Sequence, residues 1–170
     1  MAYAMKNETF RKITSTKNHT VRTHNNNLLT FKNKHKLIQG NQYCISGKTG
    51  YTESAKRTLV SCFSKNNINI VVVTFNCGND WSLHEQLFEY AINNYTNKTF
   101  INKGILNYEF INYNVTPIIY EDVNYLVRYT ENFKCEIELL NNQENNEIIG
   151  IIKLYLNNEV VKEIFIYRYY

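Results

Sequence analysis

The sequence is short of the residues that bend or cross-link a chain. It has one proline, six glycines and four cysteines in 170 residues. So little proline and glycine excludes collagen-like and proline-rich linker classes. Cys44, Cys62, Cys77 and Cys135 form no C-x-x-C pair, and His19, His24, His35 and His84 show no ligand spacing. A zinc site is therefore not expected, and isolated thiols packed in strands are the simpler reading, with Cys44, Cys62 and Cys77 all in apparent strands. No run of 18 apolar residues exists, so no helix spans a bilayer. Met1 to Asn7 lacks a basic segment followed by an apolar one, so no secretory signal is expected, and the chain as written is expected to stay in the cytoplasm. The net charge of +4 is too small, by itself, to indicate nucleic acid.

What is present is globular in proportion: 44% hydrophobic and 20% charged residues. Fourteen Tyr and nine Phe supply material for a β-rich core. Asparagine is unusually frequent, which reads as compositional bias.

Residues 1–18 read as a short helix trailing into a loop, with Ala2, Met5, Phe10 and Ile13 as a loose apolar stripe. Residues 18–42 are polar and basic and read as a solvated loop. Extended runs follow: one opening at Tyr43-Cys44-Ile45, a second from Arg57 to Phe63 and a third from Ile68 to Phe75. Ser64-Lys65-Asn66-Asn67 forms a polar hairpin turn between the last two. The continuous valines of the third run predict a strand buried on both faces. Gly78-Asn79-Asp80 ends the sheet, and Asn79 or Asp80 can cap a helix over about 81–94. Its apolar face is Leu83, Leu87, Phe88, Ala91 and Ile92. Beyond Lys98 come short alternating runs at 105–106, 115–120, 123–129, 135–140, 148–156 and 160–167. Polar turns at 131–132, 141–147 and 157–158 separate them, which suggests a small all-β sandwich.

The sharpest local feature is Ser46-Gly47-Lys48-Thr49-Gly50-Tyr51-Thr52, at the end of the first strand of a sheet. A Lys-Thr-Gly triplet alone is weak. Its order, ahead of a strand, a polar hairpin, an apolar strand and an amphipathic helix, resembles the D-alanyl-D-alanine carboxypeptidases. These are low-molecular-mass penicillin-binding proteins, relatives of the serine β-lactamases. Residues 5–13, Asn27-Leu28-Leu29, Gly78-Asn79-Asp80, Tyr120-Glu121-Asp122-Val123 and Gly150 to Leu154 resemble further parts of the family's second half. The resemblance implies an α+β fold: part of a transpeptidase-like antiparallel sheet with its closing helix over 1–97, then a C-terminal β-sandwich over 98–170.

It also implies a chemistry. The family trims the terminal D-Ala of peptidoglycan stem peptides and binds β-lactams on the cell-wall side of the membrane, without a cofactor. By the resemblance, Lys48 supplies positive charge to the substrate carboxylate and Thr49 a hydroxyl hydrogen bond. Gly50 leaves room for substrate to lie alongside as an extra strand. The backbone N–H of Tyr51 forms half of an oxyanion hole. The family's nucleophile, the serine of Ser-x-x-Lys, has no match: none of the six serines, at 15, 46, 54, 61, 64 and 82, has lysine three residues later. Ser64-Lys65-Asn66 spells the second motif but stands downstream of Lys-Thr-Gly. The chain is therefore expected to be inactive alone. Either a separate N-terminal half completes it, or it is a truncated product. A non-catalytic cell-wall-binding or interaction module is the alternative. No nucleic acid partner is expected.

Overall fold

A computed structural model describes residues 1–107, 115–140 and 147–170. Two compact units divide it, Met1–Asn94 and Tyr95–Tyr170. The first opens with a 3₁₀ turn, Ala4–Lys6, and helix α1, Glu8–Ser15. Asn7 starts α1 by accepting a hydrogen bond from the Phe10 N–H at 2.9 Å, which satisfies one of the first-turn donors. Two antiparallel strands follow, β1 (Asn18–Arg22) and β2 (Leu28–Lys32), then a single-turn helix α2, Lys36–Gly40. The expected loop over 18–42 is thus a hairpin and a helical turn. His35, Leu37 and Ile38 are buried. Their polar neighbours hid them, because one turn of helix is too short to show a period.

The centre of the unit is a three-stranded antiparallel sheet in the order β3 (Cys44–Thr52), β4 (Lys56–Lys65), β5 (Ile68–Phe75). Asn66 and Asn67, both at positive φ (52° and 60°), close the β4–β5 hairpin. A two-residue turn with both φ positive matches the twist of the flanking strands. Of the seven non-glycine residues at positive φ among those described, six are Asn. Asparagine tolerates the left-handed region better than other side chains, so its abundance has structural content here. It does the work that scarce glycine does elsewhere.

Helix α3, Asp80–Asn94, packs on one face of this sheet. The residues turned to the sheet are Trp81, His84, Phe88 and Ile92, a 3-4-4 spacing. The expected stripe shared only Phe88 and Ile92 with it, and Leu87 is exposed. Phe88 stacks on Phe63 of β4 (ring centroids 4.6 Å apart) in a cluster with Leu37, Ile38, Cys44 and Val72. On β5 the expected burial of both faces does not hold. Ile68 and Val72 are buried, but Val71, Val73 and Phe75 are 38%, 46% and 73% exposed. The valines alternate sides, and α3 covers only one. Cys77 lies beyond the end of β5 rather than in a strand.

The second unit is all β. A five-stranded antiparallel sheet runs β10 (Phe133–Leu139), β11 (Ile148–Leu156), β12 (Glu159–Tyr169), β8 (Thr116–Ile119), β7 (Gly104–Ile105). A ribbon of β6 (Tyr95–Ile101) and β9 (Val123–Arg128) completes it. Ile101 and Val123 from the ribbon pack with Ile119, Ile149, Ile152, Ile164 and Ile166 of the sheet. These are the two layers of a small sandwich. Asn157 and Asn158, again at positive φ, join β11 to β12. The turn expected over 141–147 lies, except for Glu147, outside the described residues.

Candidate functional site: the free edge of strand β3

β3 is an edge strand, paired only with β4, so one row of its backbone groups is open to an incoming chain. Register places Gly47 opposite Ser61, Lys48 opposite Val60, Thr49 opposite Leu59, Gly50 opposite Thr58 and Tyr51 opposite Arg57. Cross-strand partners share a face, and Leu59, Ser61 and Phe63 look toward α3. Lys48 therefore stands on the opposite face, which α1 covers further along the strand, where Thr14 Oγ1 lies 2.5 Å from the buried Ser46 Oγ. Lys48 is exposed, and its Nζ donates to the Thr49 carbonyl at 2.5 Å. Thr49 is half-buried, and its hydroxyl makes no hydrogen bond among the described residues. Tyr51 is exposed. All four predicted site residues thus lie in sequence along one accessible edge.

Two cavities border that edge. One, of about 240 Å³, is lined by Ile13 and Thr14 of α1, by Asn33 and Lys34, and by Gly47, Lys48 and Thr49. The other, also about 240 Å³, lies between Thr49–Tyr51, Arg57–Leu59 and Asp80-Trp81. Buried Asp80 holds Arg57 in a two-pronged contact, with Nε to Oδ2 at 2.9 Å and Nη2 to Oδ1 at 2.6 Å. Its Oδ1 also accepts from the Trp81 N–H at 2.8 Å. One carboxylate thereby ties the end of the β3–β4 hairpin to the positive end of α3.

Beneath β3 runs a polar chain that sequence inspection missed. His35 Nε2 lies 3.1 Å from the Val60 carbonyl and 3.1 Å from Ser61 Oγ. Ser61 Oγ lies 2.7 Å from His84 Nδ1, and His84 Nε2 lies 3.0 Å from Thr74 Oγ1. The Nδ1 of His35 accepts from the Ile38 N–H, so the proton sits on Nε2 and the ring is neutral. A serine between two histidines has the components of an activated nucleophile. Ser61, His35 and His84 are nevertheless at most 1% exposed, so no substrate reaches them. Their function is to satisfy one another and to join α2, the sheet and α3. The available signal was His84 four residues before Phe88, on the same helical face.

Burial pushes both His35 and His84 below the ordinary imidazole value of 6.5; for His35, hydrogen bonds to Val60 and its own backbone oppose this more weakly, and for both the charge of Asp80 does so. A group whose folded-state pKa is depressed stabilises the fold in its neutral form. That contribution is complete above the unfolded value of 6.5 and declines as pH falls, because only the unfolded chain takes up the protons. Urea unfolding measured across this range is expected to show a plateau on the alkaline side and falling stability on the acid side. A flat profile through the histidine range would contradict it.

Burial also raises the thiol of Cys44, to about 12, and that of Cys62, so neither is an available nucleophile. No group of three or more metal-ligating side chains is found among the described residues, and no described helix is long and apolar enough to cross a membrane.

A three-stranded antiparallel sheet with a helix on one face and a separate all-β unit make a mixed α+β fold. Residues 1–79 match the family model of the D-alanyl-D-alanine carboxypeptidases, Peptidase_S11. Over those residues the family resemblance holds. Among solved structures, penicillin binding protein 5 from Haemophilus influenzae superposes with a TM-score of 0.68 at 16% identity. The match covers 98% of this chain and 52% of that one. A peptidoglycan synthesis regulatory factor (PBP3) from Streptococcus pneumoniae gives 0.65 at 12% identity, with the same coverage. The D-alanyl-D-alanine carboxypeptidase DacD from Francisella tularensis gives 0.58 at 18%, covering 85% of this chain and 40% of that one. At such identities the likeness shows the fold. The chain spans about half the length of these proteins. No curated protein sequence matches it significantly.

Proposed function

We propose that this chain is the substrate-binding half of a serine-type D-Ala-D-Ala carboxypeptidase acting on peptidoglycan stem peptides on the outer side of the membrane. The observation that carries the reading is the open edge of β3, where Lys48, Thr49, Gly50 and Tyr51 follow one another within the segment that matches the family model. A peptide laid along that edge meets the Lys48 ammonium and the Thr49 hydroxyl at its carboxyl end. A carboxylate seated beside the exposed Lys48 ammonium is attracted to it by their opposite charges. The N–H of Tyr51 then serves as one donor to the oxyanion formed when the scissile carbonyl is attacked.

The attacking serine and its proton-transfer lysine belong to the N-terminal half of the fold, which residues 1–170 do not include. The apolar side chains of Val71, Val73 and Phe75, standing exposed on the same side of the sheet as Lys48, support a partner layer there. The second reading is a non-catalytic cell-wall-binding module. Labelled penicillin separates them. The chain alone is expected to form no covalent adduct, since loss of a nucleophile costs about 10⁶ in rate. Addition of a family N-terminal fragment is expected to restore labelling in the split enzyme but not in the inert module. An adduct on the chain alone would overturn the assignment of roles.

A further inference from the structure

Residues 9–52 contain eight Lys and Arg side chains and no Asp or Glu. The remainder of the chain is net negative, so the positive charge of the whole is concentrated in α1, the β1–β2 hairpin, α2 and β3. Part of it surrounds a groove. A cavity of about 390 Å³ is lined by Lys12, Ile13, Thr16, His19, Phe31, Lys32 and Asn33. It shares Ile13 and Asn33 with the cavity at Lys48-Thr49, so the two adjoin. Asn33 fixes their junction: its Nδ2 donates to the Thr16 carbonyl at 3.0 Å, its Oδ1 accepts from the His35 N–H at 3.0 Å, and its own N–H donates to the Lys17 carbonyl. Lys12, Lys32, Lys34 and Lys48 form no ion pair among the described residues. Like charges gathered around one groove repel each other, and a ligand with several anionic groups relieves that repulsion. Exposed Ile13 and Phe31 add an apolar floor.

We infer that the groove selects an extended peptide with two carboxylates. The terminal one lies at Lys48, and a second, borne on an upstream side chain, lies between Lys12 and Lys32. This rests on the substrate-binding role proposed above and adds to it a specificity: acidic peptides over their neutral amide counterparts.

The test uses the full chain and acetylated pentapeptides ending in D-Ala-D-Ala, with glutamate or glutamine placed at each of the three upstream positions in turn. Binding is followed by NMR titration. At one position glutamate is expected to bind about fivefold tighter than glutamine, the range of one or two partly exposed ion pairs. The preference is expected to shrink in high salt and to vanish in the double variant Lys12→Ala/Lys32→Ala, which is expected to bind the glutamate and glutamine peptides equally. Equal affinity for both peptides at every position, with D-Ala-D-Ala still preferred over its C-terminal amide, overturns this inference and leaves the substrate-binding role standing. Loss of any preference for the free terminal carboxylate, with the glutamate preference intact, overturns the role of Lys48 instead. No binding of any peptide overturns both. If inorganic polyphosphate binds more tightly than every peptide and loses that binding in the double variant, the groove is a general polyanion surface and the peptide assignment falls.

Discussion

Gly47→Ala is expected to destabilise the first unit by about 3 kcal/mol or to prevent its folding, the upper range for overpacking a closed interior. A methyl group at this position would stand 2.2 Å from His35 Nε2, 2.5 Å from His35 Cδ2 and 2.6 Å from the Val60 carbonyl oxygen. The histidine cannot swing away without abandoning its bonds to Ser61 and Val60. The carbonyl belongs to the neighbouring strand of the ladder and cannot move without breaking it. Trimming the ring therefore gives only partial relief: in a His35→Ala background, Gly47→Ala is expected to retain much of its cost. Urea midpoints for the four proteins of that cycle provide the measurement. A cost below about 1 kcal/mol in the native background would show that the two strands separate more easily than their packing implies. Gly50 offers a contrast three residues further along, on the opposite face. Its hypothetical Cβ meets only the Thr58 hydroxyl, at 2.4 Å, and that side chain can rotate.

Phe88→Ala is expected to cost about 3–5 kcal/mol, the usual consequence of emptying a buried aromatic site. The ring is completely buried, stacked on Phe63 and tilted against Tyr43 at 5.6 Å. It is the main apolar contact by which α3 holds the sheet, because the next inward position of the helix is His84, whose contacts are polar. Such a loss is a large fraction of the stability of a domain this size. Thermal or urea unfolding of the variant measures it, and near-wild-type stability would mean that α3 is held chiefly by Asp80, Trp81 and Ile92. Phe88→Leu, which keeps most of the volume, is expected to recover more than half of the loss.

The two variants bear on the site in different ways. Gly47 lies directly before Lys48, so its substitution disturbs the edge that would receive substrate. Phe88 lies beneath the sheet on the face away from Lys48. A Phe88→Leu chain that folds is therefore expected to keep peptide binding.

Much of the architecture was visible in local pattern. The strand at 148–156 was bounded to the residue, and the hairpin turns at 66–67 and 157–158 were marked by paired asparagines that reach positive φ readily. The helix over 81–94 was correctly placed, but its inward face was not. Hydrophobicity favoured Leu83 and Leu87, whereas the sheet offers a hydroxyl at Ser61 and so draws in His84. The basic segment 18–42 misled for a related reason. Its charge is real and solvent-facing, yet His35 is drawn inside by partners 25 and 26 residues away, Val60 and Ser61.

By itself the sequence determined the order of strands and turns, the scarcity of catalytic candidates and the Lys-Thr-Gly signature, since each depends on neighbours a few residues apart. Tertiary structure alone decided which side of β5 is covered, which histidines are buried and neutral, and that the cavity of Lys12 and Lys32 adjoins the one at Lys48. Those properties arise where distant segments meet. There, burial and partner geometry, rather than the residue's own preference, set the energy of each side chain.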